Sequence, residues 1–195
     1  MKLVHGKQAE EESLEALIKR HVRVIPDFPR KGILFQDITT LLQNPGGFYQ
    51  VIEGLMRSVE GTPFDVIAAI EARGFILGGA LAHRLGTGFV PLRKAGKLPW
   101  RSFRQDYSLE YGTETLEVHV DGIDEGVRVL VVDDLLATGG SMEAAFKLIT
   151  LSGGKIAGAH FVIELAHLGG RERLARANPN DDISFGALYR IHAEE

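Results

Sequence analysis

The amino-acid sequence predicts an α/β protein with a mostly parallel, twisted sheet flanked by helices. From Asp65 onward, short apolar runs alternate with glycine-bounded stretches of helical periodicity, which is the pattern of repeated strand–helix units. The apolar runs are also continuous, as in parallel strands that are covered by helices on both faces. Both observations favour the same class of fold.

The amino-terminal quarter is interpreted as two helices around an apolar loop. Ala9–Arg20 has leucine and isoleucine at helical spacing among charges, and therefore predicts an amphipathic helix. Residues 24–39, "VIPDFPRKGILFQDIT", contain two prolines and a glycine, which disfavour regular helix and predict a loop. Because this loop also carries large apolar side chains, we expect it to cover an apolar surface. Asn44 and Pro45 suit the N-cap and first turn of a second helix. Its predicted buried face comprises Phe48, Val51, Ile52, Leu55 and Val59.

The remaining elements follow from the alternating pattern. The predicted strands are Val66–Ile70, Gly88–Leu92, Val127–Val132 and Ala157–Glu164. The predicted helices lie near Phe75–Arg84, Ser141–Ser152 and Gly170–Arg176. Between the second and third strands, Tyr107–Val120 alternates apolar and polar residues, which predicts an antiparallel ribbon projecting from the sheet.

Length and composition predict one domain spanning residues 1–195, in which 1–42 form an N-terminal helix and covering segment. A chain of 195 residues with 45% hydrophobic residues can build a single core. The absence of cysteine excludes disulfides, thiolate zinc sites and cysteine nucleophiles, and favours an intracellular location. No apolar run approaches the roughly 20 residues that a bilayer requires, and the first 20 residues have acidic side chains where a signal peptide would be basic and then apolar. A net charge of −4 argues against nucleic-acid binding. We therefore expect a soluble, cytoplasmic protein.

The stretch "VVDDLLATGGS" carries the clearest candidate site. Asp133–Ser141 is predicted as the loop between a strand's carboxyl end and a helix, where open α/β sheets bind ligands. The backbone N–H groups of this loop and the hydroxyls of Thr138 and Ser141 can converge on a phosphate. The predicted anion-binding residues are Ala137, Thr138, Gly139, Gly140 and Ser141. The alternative is an ordinary strand-to-helix connection with Ser141 as the N-cap.

Asp133 and Asp134 need partners, because unpaired carboxylates are disfavoured in a dry site. Three kinds of partner remain open at this point: Mg²⁺, the diol of a ribose, or nearby Lys and Arg side chains. The sequence contains no Walker-type phosphate loop and no dinucleotide-binding glycine motif after a strand, so these functions lose support. It also lacks a zinc-protease helix motif and a serine nucleophile elbow.

Two further loops supply cations. In "IEARGF", Arg73 follows a predicted strand and can offer its planar donor fork to an oxyanion, while Gly74 permits close approach of the backbone. Residues 93–104, "RKAGKLPWRSFR", contain five basic residues and no acidic one, directly after another predicted strand. A solvated charge run is the ordinary interpretation of such a stretch. Its position at the same sheet edge instead predicts a second phosphate-binding region. Glu110, between two tyrosines on the ribbon, is a candidate general acid or base if the ribbon closes and excludes water.

Six ordered motifs from Pro26 to Leu174 resemble the type I purine/pyrimidine phosphoribosyltransferases. They are "DFPRKGILFQDIT", "EARGF", "VPLRKAGKLPW", "YSLEYG", "VVDDLLATGGS" and "IELAHLGGRERL". "VVDDLLATGGS" indicates binding of 5-phosphoribosyl-1-pyrophosphate, whereas "GILFQD" and "YSLEYG" select the adenine branch of the family. The resemblance implies the type I fold with a small N-terminal base-binding hood and a flexible antiparallel flap. It also implies transfer of phosphoribose to N9 of adenine in purine salvage, with Mg²⁺ and a cytoplasmic homodimer.

The resemblance also implies residue roles. Asp133 and Asp134 would bind the ribose hydroxyls, with Mg²⁺ held through the substrate and possible further contacts from these two carboxylates. Residues 137–141 would bind the 5′-phosphate, and Glu110 would manage the proton of the base. The implied pyrophosphate-side residues are Arg73, Arg93, Lys94 and Lys97, and in dimeric members some basic residues of this region reach the neighbouring site. The implied adenine-binding residues are Leu34, Phe35 and Gln36. Gln36 stands where many relatives have Arg or Lys, and Ser141 replaces a frequent Thr.

Two other functions remain open from the sequence. A xanthine or guanine transferase would share the same motifs, because base choice depends on pocket geometry. A regulator that senses phosphoribosyl pyrophosphate would require a DNA-binding module or a basic face, and the single acidic N-terminal helix argues against it.

Overall fold

The computed structural model describes residues 12–109, 112–178 and 182–193. The chain divides into a smaller amino-terminal unit that ends at Phe48 and a larger unit that begins at Tyr49. The organisation as one domain over residues 1–195 stays a prediction. None of the helices within the described ranges combines the length and apolar character that crossing a membrane requires.

The smaller unit contains two short helices and a hairpin. Helix α1, Leu14–His21, begins at Ser13, whose hydroxyl accepts a hydrogen bond from the Ala16 N–H at 3.2 Å. The helix was predicted over Ala9–Arg20, and its first three predicted residues lie outside the described ranges. Helix α2 covers Thr39–Gln43. Strands β1, Arg23–Pro26, and β2, Leu34–Asp37, pair antiparallel.

The β1–β2 hairpin corrects the prediction of a loop over residues 24–39. Pro26 and Pro29 do not interrupt it, because Pro26 is the last residue of β1 and Pro29 lies in the turn. The Asp27 carboxylate accepts the Gly32 N–H at 2.7 Å within that turn. At the open end, the Arg23 guanidinium donates to Asp37 at 2.6 Å. The prolines led to the prediction of a loop, but at a strand end and in a turn they are compatible with a strand pair.

Helix α3, Pro45–Ser58, begins in the smaller unit and continues into the larger one. The Asn44 side chain accepts the Gly47 N–H at 2.8 Å, so the predicted N-cap is confirmed. In the larger unit, Val51, Ile52, Leu55 and Val59 are buried, as the helical spacing predicted, whereas Phe48 in the smaller unit is only partly buried.

The larger unit is built on a seven-stranded sheet. Its strands are β3 Val66–Ile70, β4 Gly88–Lys94, β5 Ser102–Leu109, β6 Gly112–His119, β7 Arg128–Leu136, β8 Lys155–Leu165 and β9 Ser184–Ile191. They lie in the order β5-β6-β4-β3-β7-β8-β9. The five strands from β4 to β9 in this order pair parallel, and β6 joins β4 antiparallel. The predicted mostly parallel sheet is confirmed.

Helices cover both faces of this sheet. They are α4 Arg73–Leu85, α5 Gly140–Leu151 and α6 Gly170–Ala177, with a 3-10 turn at Ala166–Leu168. Ala68 and Val131 share a buried cluster with Met142 and Phe146 of α5. Gly78 of α4 packs instead on Ala69, the next residue of β3. Because successive strand residues point to opposite faces, α4 and α5 lie on opposite sides, which explains the continuously apolar strands.

In the larger unit, the sequence misplaced several strand ends and missed one strand. β7 was predicted to end at Val132, but it continues to Leu136 because Asp133 and Leu135 remain paired with Phe161 and Ile163 of β8. β4 likewise continues to Lys94, where it pairs with Leu116 of β6. β9 was not predicted. The antiparallel ribbon predicted over Tyr107–Val120 is present as β5 and β6, and its first strand begins earlier, at Ser102.

Candidate active site

The candidate site lies at the carboxyl ends of β3 and β7. The connection from β3 runs through α4 to β4 on one side, whereas the connection from β7 runs through α5 to β8 on the other. The strand order therefore reverses between β3 and β7, and open α/β sheets bind ligands in the crevice at such a switch point. A cavity of about 220 Å³ opens there, lined by Arg73 and by residues 133–142.

The two adjacent aspartates occupy the end of β7, not the loop in which they were predicted. Asp134 is buried, and its carboxylate forms an ion pair with the Arg73 guanidinium at the start of α4. Asp133 is half-buried, and its carboxylate accepts the Asp134 N–H at 3.0 Å. Of the three kinds of partner left open, the structure shows pairing with a cation for Asp134. Strand geometry sends the two side chains to opposite faces, so they have different surroundings.

The environment of Asp133 disfavours its charged form. Burial and the neighbouring Asp134 carboxylate raise the pKa of Asp133 well above its usual value, although the Arg73 guanidinium opposes the shift. A side chain in this state gains from a hydroxyl donor or a cation. A ribose diol or Mg²⁺ would supply such a partner.

Gly74 allows the amino end of α4 to approach β7. A methyl group at this position would lie 2.8 Å from the Asp133 carboxylate and 3.1 Å from the Val132 carbonyl oxygen. Any larger residue would push α4 away from the aspartates. The close approach that the sequence suggested for Gly74 thus brings Arg73 to Asp134.

The predicted phosphate loop follows β7 directly. Ala137, Thr138 and Gly139 connect the strand to α5, which begins at Gly140 and includes Ser141. Gly139 has a positive φ of 80°, which turns the chain into the helix. No side chain caps the amino end of α5, so the alternative of Ser141 as an N-cap is not supported. The helix end therefore presents backbone N–H groups to the cavity.

The four predicted cations each contact a carboxylate at this edge of the sheet. Besides the Arg73 pair, the Arg93 guanidinium donates to Glu71 at 3.1 Å, and the Lys97 ammonium pairs with the other oxygen of the same carboxylate. The Lys94 ammonium contacts Glu114 on β6 at 3.0 Å. Sequence reasoning assigned no role to either glutamate, although Glu71 stands in the quoted "EARGF" motif.

The Glu71 carboxylate contacts three residues of the basic segment 93–104. Burial disfavours its charged form, but hydrogen bonds from Lys97 and Arg93 outweigh burial and hold the pKa of Glu71 below its usual value. Its carboxylate also accepts the Lys94 N–H at 3.3 Å. The basic run is thus folded against the end of β3, which supports the interpretation of a site over a solvated charge run.

The ribbon is tied to the same edge through Glu114 of β6, which contacts Lys94 of β4 and also faces Tyr107 of β5. The Tyr107 hydroxyl donates to Glu114 at 2.8 Å, and burial together with this carboxylate raises the pKa of Tyr107 above its ordinary value. Glu110, the candidate acid or base, lies two residues beyond the last ribbon residue whose side chain is described, outside the described ranges.

The predicted adenine-binding residues lie on β2 of the smaller unit. Phe35 packs edge-on against Phe28, with ring centroids 5.0 Å apart. Gln36 is buried, and its side-chain amide donates to the Leu34 carbonyl oxygen at 3.4 Å. The side chain of Leu34 is 60% exposed. Position 36 thus carries a neutral side chain that is held against its own strand.

The donor set suits a metal that is shared with a substrate. Across the described residues, no group of three or more His, Asp or Glu side chains is placed to hold a metal ion. Asp133 and Asp134 provide two carboxylates, and Mg²⁺ is commonly bound through one or two carboxylates together with substrate phosphates. These residues fit a substrate-bound Mg²⁺ and do not form a complete protein site.

Comparison with known proteins defines the class to which this fold and site belong. Residues 37–185 match the phosphoribosyl transferase domain family. The protein from Parvibaculum lavamentivorans named adenine phosphoribosyltransferase is 56% identical over 157 residues, which cover 80% of this chain and 90% of that protein. The doubly wound sheet, with its carboxylate pair and the predicted phosphate loop, is thus the phosphoribosyltransferase architecture.

Solved structures narrow the class to one branch. The adenine phosphoribosyltransferase of Thermoanaerobacter pseudethanolicus is 49% identical, with a TM-score of 0.85 over 92% of this chain and all of that chain. The Saccharomyces cerevisiae enzyme, solved with an imino-altritol bisphosphate and adenine, is 36% identical with a TM-score of 0.80, covering 90% of this chain and 98% of that one. The chain belongs to the adenine phosphoribosyltransferase family.

Proposed function

We propose that the protein transfers the 5-phosphoribosyl group of 5-phosphoribosyl-1-pyrophosphate to N9 of adenine, forming AMP and pyrophosphate in purine salvage. The observation that carries this proposal is the Asp133–Asp134 pair at the end of β7, followed at once by the backbone loop at the start of α5. This arrangement suits a ligand with a diol beside a phosphate. The names and the adenine complex of the relatives support the choice of base.

The sugar and its phosphate are assigned to the β7–α5 segment. Asp133 and Asp134 bind the ribose hydroxyls, which supply the hydrogen-bond donors that a desolvated carboxylate requires. The 5′-phosphate is bound by the loop residues Ala137, Thr138, Gly139, Gly140 and Ser141. Backbone N–H groups at a helix start stabilise such an anion.

The leaving group is assigned to the cations beside it. Breaking the C1–O bond leaves positive charge on the ribose and negative charge on pyrophosphate. Arg73, Arg93, Lys94 and Lys97 stabilise that negative charge, with Glu71 and Glu114 holding three of them in place beforehand. Asp133 and Asp134 would hold Mg²⁺ together with the substrate, and the metal would add electrostatic stabilisation of the leaving group.

Adenine is assigned to Leu34, Phe35 and Gln36. The ring packs on Phe35, and backbone groups of β2 bind the edge of the base. As the new N9–C1 bond forms, N9 loses its proton, and we assign Glu110 to this proton transfer. Closure of the ribbon over the site excludes water, which would otherwise compete with adenine for the sugar.

Turnover with four bases tests the proposal. Purified protein, Mg²⁺ and phosphoribosyl pyrophosphate are combined in turn with adenine, hypoxanthine, guanine and xanthine, and release of pyrophosphate is measured. We expect the highest kcat/KM with adenine. A preference for guanine or xanthine would identify a different purine transferase. Binding of the sugar pyrophosphate without turnover of any base would indicate a sensing regulator.

The proposed role of Glu110 predicts a loss of rate. Glu110→Ala should lower kcat by about 10²–10⁴, because a positioned acid or base contributes this much to catalysis. Steady-state kinetics at saturating substrates provide the measurement. Glu60→Ala, at an exposed site just after α3, serves as the control and should retain the wild-type rate. A loss below about threefold for Glu110→Ala would remove it from this role.

A further inference from the structure

The motif "IELAHLGGRERL" has no role in the proposed chemistry, yet its second glycine, Gly170, contacts the predicted phosphate loop. A methyl group at Gly170 would lie 2.2 Å from the Ala137 carbonyl oxygen and 3.0 Å from the Leu136 side chain. From the other side, a methyl group at Gly139 would lie 3.0 Å from the Gly170 carbonyl oxygen. The backbone of α6 therefore packs directly on the backbone of the loop.

The amino end of α6 is itself held firmly. The Arg171 guanidinium contacts both oxygens of Glu164, a buried carboxylate on β8, at 3.0 and 2.5 Å. The same guanidinium donates to the Phe185 carbonyl oxygen on β9 at 3.1 Å. Since a bidentate Arg–carboxylate pair fixes orientation as well as distance, the position of α6 is set by the two last strands of the sheet.

A second contact joins α6 to the helix that follows the loop. The Arg173 guanidinium donates to the Glu143 carboxylate in the first turn of α5 at 2.6 Å. A methyl group at Gly140 would lie 3.7 Å from the same guanidinium. Helix α6 thus contacts the loop itself, at Gly139, and also the first turn of α5, at Glu143.

We infer that the start of α6 is a rigid support that positions the phosphate loop, and that Gly170 is a positioning residue for recognition of the 5′-phosphate. This inference rests on the proposed function. Hydrogen bonds from backbone N–H groups weaken steeply when distance or angle is wrong. A side chain at position 170 must displace the Ala137 carbonyl by about an ångström to restore an ordinary contact, and the N–H groups that follow it move as well.

The test compares two ligands that differ only in the phosphate. Dissociation constants for AMP and adenosine are measured by isothermal titration for wild-type protein and for Gly170→Ala. We expect the variant to lose about tenfold or more in AMP affinity, with adenosine affinity unchanged, since the other parts of the site do not touch Gly170. Equal losses for both ligands, or no loss for AMP, would overturn the inference.

Two further variants keep the result interpretable. Gly46→Ala, also in the first turn of a helix, introduces only an ordinary 3.4 Å contact and should bind both ligands as wild type does. If Gly170→Ala does not fold, Arg173→Gln decides: a smaller but phosphate-selective loss supports the inference, and an unchanged AMP-to-adenosine ratio overturns it. Failure of the proposed function is distinct, because wild-type protein would then bind AMP no more tightly than adenosine.

Discussion

At the scale of single residues, the site contains a carboxylate that its surroundings do not favour. Asp134 pairs with Arg73, whereas Asp133 lies against Asp134 and has a raised pKa. Natural sites that bind charged or hydroxylated ligands often contain such groups, at a cost to the stability of the free protein. A hydrogen-bond donor or a cation that binds Asp133 offsets the cost of its buried charge. The two aspartates are therefore expected to contribute differently to stability and to binding.

We predict that Asp133→Asn stabilises the ligand-free protein at pH 7.5. A carboxyl group whose pKa is raised on folding costs stability above its unfolded pKa, near 4, and this cost grows until the pH passes the raised folded value. The amide keeps the oxygen that accepts the Asp134 N–H at 3.0 Å but carries no charge. Thermal unfolding should show a higher Tm for the variant, and the gain should shrink as the pH falls toward 4.

Asp134→Asn is the matched control for this prediction. It replaces the carboxylate that pairs with Arg73 and should lower the Tm at pH 7.5, because a buried ion pair loses one partner. Both variants should bind phosphoribosyl pyrophosphate more weakly than wild type. Wild-type affinity in both would contradict the assignment of the aspartates to the ribose hydroxyls.

At the scale of elements, the carboxyl ends of the strands carry the candidate site, whereas the buried side chains along the strands contribute to the stability of the fold. β8 illustrates the second role, since it carries the buried His160 between two hydroxyl groups. The Ser58 hydroxyl lies 2.9 Å from Nδ1, and the Ser184 hydroxyl of β9 lies 3.2 Å from Nε2. Burial, with a smaller effect of the Arg171 charge, lowers the pKa of His160 to about 4. The neutral ring is therefore part of the folded core.

This histidine predicts a loss of stability in mild acid. Because the folded pKa is about 4 and the unfolded value is about 6.5, the unfolded chain binds more protons between these two values. The free energy of unfolding should be constant above pH 6.5 as far as His160 is concerned, and should fall as the pH decreases toward 4. Urea titrations at a series of pH values measure this slope.

The variant His160→Gln isolates the contribution of the ring. Glutamine retains hydrogen-bonding groups but does not titrate, so the slope between pH 6.5 and 4 should become shallower. A mutation of the exposed His192 to Gln should leave the slope as it is in wild type. An equal slope in wild type and His160→Gln would show that other groups cause the acid sensitivity.

At the scale of the whole molecule, the open question is how many chains assemble. We expect a homodimer, in keeping with the resemblance of the sequence. The larger unit exposes large apolar side chains of the kind that interfaces bury. The exposed fraction is 64% for Trp100 and 48% for Ile76. Multi-angle light scattering should give twice the chain mass of 21.4 kDa over a range of concentrations. A mass of one chain at all concentrations would contradict the prediction.

The sequence by itself determined the class of fold and predicted the connection between β7 and α5 as a phosphate-binding loop. Buried parallel strands need continuous apolar residues, and a tight loop at a helix start needs glycine, so both leave local signatures that can be recognised. The strand Val66–Ile70 was predicted correctly for this reason. The N-cap at Asn44 was also predicted correctly, because an Asn side chain before a helix readily accepts a backbone N–H of its first turn. The hairpin β1–β2 was missed because its prolines argued against regular structure, and strand β9 was missed because its pairing with β8 depends on a partner distant in the chain.

Only the tertiary structure decided how the charged residues meet. Nothing local in the sequence places Arg73 on Asp134, or Arg93 and Lys97 on Glu71, since these contacts join residues that are 22 to 61 positions apart. The close packing of Gly170 on Ala137 is of the same kind. Local patterns fix which backbone conformations form, whereas ion pairs and backbone contacts between distant segments depend on the register and order of the strands, which only the assembled sheet defines.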